Sequence, residues 1–117
     1  EWRVRGLARI THLRLDRRQI VSAEGTAFAR MPRLTNIYLQ HNRLSTVPDL
    51  CQIAALRFLT LSHNHITQLT GLRELPSLMF LDVSYNAITA LDTDELPASL
   101  RFLEVEGNPC AKDAAGD

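Results

Sequence analysis

One spacing of apolar residues recurs five times along this chain, and it leaves few folds open. Ile10, Leu13, Leu15 and Ile20 occupy the first, fourth, sixth and eleventh places of a short motif. Leu34, Ile37, Leu39 and Leu44 repeat it, as do Leu56, Leu59, Leu61 and Ile66, then Leu78, Leu81, Val83 and Ile88. Leu100, Leu103 and Val105 open a fifth copy. The first step is 24 residues and the next three are 22. Apolar residues two apart, with a polar one between, describe a short strand that buries one face and frees the other. One such strand cannot bury its apolar face alone. Stacked copies can, by sharing a continuous core under a parallel sheet.

The rest of each repeat must carry the chain back. A 22-residue step leaves little room for a long helix, and Pro48, Pro76 and Pro97 interrupt helix on the return path. The expected architecture is an α/β solenoid, with a curved parallel sheet on the concave face and 3₁₀ turns and loops on the convex face. Val47, Leu50 and Ile53, then Leu69, Leu72 and Leu75, then Leu91 and Leu96 supply its return-path core. The longer first repeat has room for a helical turn near Ala23–Ala29.

Asn42, Asn64, Asn86 and Asn108 hold the ninth place of four copies. An amide there both donates and accepts, so these four are expected to form a ladder satisfying the backbone of the turning chain. Arg18 holds the place in the first copy and cannot accept a hydrogen bond. The ladder is therefore expected to start one repeat late.

The template L-x-x-L-x-L-x-x-N-x-L is that of the leucine-rich repeat. With L-x-x-L-x-x-L on the return path, residues 10–110 resemble the SDS22-like class of these repeats. Glu106-Gly107-Asn108-Pro109-Cys110 resembles the start of the cap closing such solenoids, without the Tyr-Arg pair that normally follows. Residues 1–9 then read as a lead-in or truncated preceding element, 10–110 as five repeats, and 111–117 as a truncated cap or tail. The chain opens on Glu1 and reads as a piece of something longer.

Leu13-Arg14-Leu15-Asp16-Arg17, Tyr38-Leu39-Gln40 and Leu56-Arg57-Phe58-Leu59 resemble small leucine-rich repeat proteins of cilia and flagella. That resemblance implies a non-catalytic docking subunit of an axonemal complex, in the cytoplasm and the axoneme. The SDS22-like class implies an alternative, a regulatory subunit of a protein phosphatase. Both imply a protein partner, in the first case an amphipathic helix of a larger axonemal protein. Neither implies a cofactor or metal.

Charge narrows the partner further. Residues 1–58 hold ten Arg and Lys against four Asp and Glu, and residues 59–117 hold three against nine. A chain polarised in this way lacks the continuous basic face that tracks phosphates, so nucleic acid is not expected. Apolar runs reach only four residues, as in Ile53–Leu56, where a membrane-spanning helix needs about 20. Cys51 and Cys110 lie about 14 Å apart by strand spacing alone, so they are expected to stay reduced, as in an intracellular compartment.

Candidate sites sort by repeat position. His41 and His63 share a place, with His65 nearby, but no further ligands complete a metal set, so solvent-edge histidines are expected. Asp82 and Glu104 stack at a carboxylate spacing found in retaining glycosidases, and a like-charge pair would raise one pKa. An open concave face excludes no water, so an acidic patch for a partner's Arg or Lys is the expected role, not catalysis. The third place reads His12, Asn36, Phe58, Phe80, Phe102, and alternation aims it to the same side as Arg14, Tyr38, Thr60, Asp82 and Glu104. The expected partner-binding face is Arg14, Tyr38, Phe58, Phe80, Asp82, Phe102, Glu104 and Glu106. Arg14 and Arg17 make one end basic; Asp82, Glu104 and Glu106 make the other acidic.

Overall fold

The computed structural model describes residues 8–23 and 28–111. Within them β1 (His12–Arg14), β2 (Asn36–Tyr38), β3 (Phe58–Thr60), β4 (Phe80–Asp82) and β5 (Phe102–Glu104) form one parallel sheet in chain order. The register follows the repeat: Leu13, Ile37, Leu59, Leu81 and Leu103 are partners in sequence. The expected turn near Ala23–Ala29, the lead-in and the tail lie largely outside the described residues.

The strand centres Ile37, Leu59 and Leu81 are wholly buried, as are Leu34, Leu56 and Leu78 before them. Leu50, Ile53, Leu72 and Leu75 close the core from the return path. Leu13 and Leu103 are only partly buried, because each strand is roofed by its neighbours and the outer two have one neighbour each.

The fourth return path departs from expectation. Leu91 is 37% exposed and Leu96 is only partly buried. Asp94 stands where Leu50 and Leu72 stand in earlier repeats, and a carboxylate cannot enter that core unpaired. The chain instead turns it outward on a 3₁₀ helix, Thr93–Glu95, where the Asp92 side chain accepts from the Asp94 N–H. Leu91 is carried out with it.

Four asparagines fasten adjacent turns. Asn64 accepts from Leu44 N–H at 2.9 Å and donates to the carbonyls of Leu39 and Leu61 at 3.0 and 2.9 Å. Asn86 does the same for Ile66 N–H, Leu61 and Val83, and Asn108 for Ile88 N–H, Val83 and Val105. Asn42 reaches back one repeat, accepting from the N–H groups of Arg18 and Ile20 at 2.9 and 3.0 Å. Asn108 accepts in the same way from the N–H groups of Asn86 and Ile88, so the ladder begins at Asn42 and the Arg18 turn is held from the following repeat like the others.

Candidate protein-binding face

Side chains at the third and fifth places project from the open side of the sheet. His12, Asn36, Phe58, Phe80 and Phe102 are aligned across the five strands, and so are Arg14, Tyr38, Thr60, Asp82 and Glu104. Parallel in-register pairing holds like places about 4.8 Å apart. Aromatic rings at that spacing fall into contact.

They do so along a continuous row. Arg14 lies 5.1 Å from the Tyr38 ring centroid, and Tyr38 meets Phe58 diagonally at 5.4 Å. Phe58 and Phe80 stack at 4.5 Å, within 4° of parallel. Phe80 and Phe102 are tilted, at 6.4 Å. Phe58 and Phe80 are half-buried, whereas Phe102 is 59% exposed. Sequence reasoning aligned the phenylalanines but left Tyr38 out of their row, since it sits two residues further along its strand.

The charged residues are less uniform than their spacing suggests. Arg14 and Arg17 share the Asp16 carboxylate, at 3.7 and 3.6 Å, so the basic end is partly neutralised. Asp82 Oδ1 accepts from the Ser84 N–H at 3.0 Å and the Ser84 hydroxyl at 2.6 Å. Half of that carboxylate therefore serves its own turn. Glu104 is its register partner, and Glu104 and Glu106 are both exposed. Thr60 is buried, not open, and Gln40 Oε1 is a buried acceptor without a partner among the described residues.

A second column stands past the strand ends. His41 and His63 stack at 4.2 Å, and His63 and Tyr85 at 4.6 Å, both nearly parallel. All three adopt a left-handed backbone, with φ of 60°, 58° and 58°. Slight desolvation of the exposed ring first, then the charges of Arg17 and His63, lower the His41 pKa, against a smaller opposing pull from Asp16. Counting repeat places reveals Tyr85 as the third member, a signal available in the sequence but not used there. Among the described residues no three His, Cys, Asp or Glu come together to hold a metal. None of their helices is long and apolar enough to cross a membrane. Cys51 and Cys110 are free thiols.

Comparison with protein families agrees with this geometry. The leucine-rich repeat model matches residues 8–66, just over half the chain. The chain is a leucine-rich repeat protein. No curated protein matches it. Leucine-rich repeats serve in general as protein-interaction modules, and the family is typically non-catalytic. In this member the open sheet face carries an aromatic row from Tyr38 to Phe102 between charged residues, and that face is the candidate site.

Proposed function

We propose that this leucine-rich repeat chain is a non-catalytic docking subunit that holds a protein partner on its concave sheet. The observation that carries the proposal is the aromatic row, which ends on a phenylalanine 59% exposed to solvent. Aromatic side chains that leave the core for an open face are what protein interfaces enrich at their centres.

The setting we propose is the axoneme of a cilium or flagellum, with the SDS22-like class as the chain's subgroup. Its support is the resemblance of Leu13–Arg17, Tyr38–Gln40 and Leu56–Leu59 to the ciliary leucine-rich repeat-containing protein 46. Crosslinking mass spectrometry on the native assembly tests both parts. Crosslinks from the concave side to a detergent-resistant axonemal protein are the expected result. Crosslinks to a soluble phosphatase catalytic subunit would replace the axonemal setting with phosphatase regulation. Crosslinks confined to the convex side would remove the concave face from the account.

Truncations of the row supply the affinity test. Phe80 is central, and Phe80→Ala is expected to weaken a partner by about 2 kcal/mol or more. Phe80→Ala also removes a half-buried ring stacked on Phe58 at 4.5 Å, so part of its effect falls on the fold. Such stacking contributes about 0.5–1.5 kcal/mol. Phe102→Ala, at the exposed end, is the cleaner variant, and Arg73→Ala on the convex side is the control.

A further inference from the structure

The phenylalanine row has oppositely charged margins on its two long sides, and this was not apparent from the end-to-end charge of the chain. On the side preceding the strands, the second place of repeats two to five reads Thr35, Arg57, Met79, Arg101. These four line one groove of about 540 Å³ together with Ser77 and Ser99. Backbone pairing reaches this far, since Thr35 O receives the N–H groups of both Arg57 and Phe58, and Met79 O those of Arg101 and Phe102. Arg57 and Arg101 are exposed. Among the described residues the Arg57 guanidinium donates to the Met79 sulfur alone, at 3.4 Å, a weak acceptor for a cation. Among the described residues the ion pairs all lie in the first repeat, and none of them involves Arg57 or Arg101.

On the side following the row stand Asp82 and Glu104, with Glu106 beyond. At β5 the three chemistries follow in order along the chain: Arg101 immediately before the strand, then Phe102 and Glu104 within it. Second and fifth places are three residues apart, about 10 Å along an extended chain. An α-helix with its side chains is about 10–12 Å across. The row from Phe58 to Phe102 covers two strand spacings, about 10 Å, close to two helical turns of about 5.4 Å pitch.

We infer that the occupant of the concave face is a single amphipathic α-helix lying across the strands, with its apolar stripe on Phe58, Phe80 and Phe102, an acidic flank on Arg57 and Arg101, and a basic flank on Asp82 and Glu104. The inference rests on the docking reading above and specifies its partner. Apolar anchors of such a helix recur at i, i+3 or i+4, and i+7, within reach of all three rings. The segregated flanks also fix direction. Turning the helix end for end exchanges its flanks and sets like charge against like, which complementary interfaces avoid.

A helical peptide-display library tests this on the 117-residue chain. Its members share a leucine stripe, and their two flanks are randomised among Glu, Lys and Ala. Peptides selected by the unaltered protein are expected to carry acid on one flank and base on the other. A selected peptide, synthesised alone, should lose about tenfold in affinity against Arg57→Glu/Arg101→Glu. It should regain that affinity when its acidic flank is changed to Lys. Both arginines are exposed, and hydrogen exchange checks that the variant keeps its fold. A selected pool with the same charge on both flanks, or with no charge preference, overturns the inference. So does stronger selection from an otherwise equal library of proline-interrupted, extended peptides. Phe102→Ala separates the two levels of argument. If it abolishes selection while flank charge is random, docking stands and the helix polarity fails. If selection is unaffected by Phe102→Ala, or nothing is selected, both fall.

Discussion

The ring of Tyr85 fills the space that a side chain at position 107 would occupy. A Cβ built on Gly107 would overlap Cδ1, Cε1 and Cγ of that ring. Gly107 also has φ of 78°, in the left-handed region that L residues seldom adopt. It holds the same repeat place as His41, His63 and Tyr85, so the stack of rings ends by lying against bare backbone. Gly107→Ala is expected to destabilise by about 1–3 kcal/mol, combining overlap with backbone strain. In a Tyr85→Ala background the overlap disappears, and only the strain, about 1 kcal/mol, should remain. Chemical denaturation of the four proteins of this cycle measures the difference. Equal costs in both backgrounds would show that Tyr85 does not press on this glycine.

Burial grades along the solenoid, and stability should follow it. Leu81 is wholly buried between two neighbouring strands, and Leu81→Ala is expected to cost about 2–5 kcal/mol through the cavity it leaves. Leu103 is partly buried beneath one neighbour, and Leu103→Ala should cost distinctly less. Hydrogen exchange should locate the Leu81→Ala damage in repeats three to five, since each repeat contacts only those beside it. Uniform loss of protection from β1 to β5 would contradict that.

Asn64 contacts four buried backbone groups of two repeats with one side chain. Asn64→Ala is therefore expected to cost about 1–3 kcal/mol in unfolding free energy, chiefly by orphaning the Leu44 N–H, since the Leu39 and Leu61 carbonyls keep Asn42 and Asn86 as donors. Asn36, on the open face, bonds only to Thr35 and Tyr38, and Asn36→Ala should stay within about 0.5 kcal/mol. Similar costs for the two would show that repeat position is not what gives Asn64 its importance.

The sequence made the register of the sheet legible because five copies constrain it at once. A slip of one residue would expose Ile37, Leu59 and Leu81 together. The same counting aligned Phe58, Phe80 and Phe102, and gave Asp82 and Glu104 as neighbours. Capture of Asp82 by Ser84 was hidden, since rotamer choice and not spacing decides which donor a carboxylate meets. Leu91 was misjudged because its own residue type fits the core while Asp94, three residues on, does not. The arginine margin is not legible along the chain for another reason. Arg57 and Arg101 belong to halves of opposite net charge, and become one margin only when the strands are laid side by side.

The histidine stack carries a pH dependence of known sign. The His41 pKa lies below its ordinary 6.5, first through slight desolvation of the exposed ring, then through the Arg17 and His63 charges, with Asp16 opposing. The folded chain therefore binds this proton more weakly than the unfolded chain does. The contribution of His41 to stability is fully present above the unfolded pKa of about 6.5 and is lost as pH falls through that value toward the folded one. Arg17, His63 and Asp16 are the charged neighbours, and Tyr85 lies beyond His63 in the same stack. Titration of the His41 ring protons by NMR is expected to give a midpoint below 6.5. Arg17→Gln should raise that midpoint by removing a repelling charge, and Asp16→Asn should lower it further. His63→Ala should raise it as well, since it removes both a like charge and the ring that covers His41 at 4.2 Å. A midpoint at or above 6.5, unmoved by Arg17→Gln, would mean that the two imidazoles do not share the stacked environment seen here.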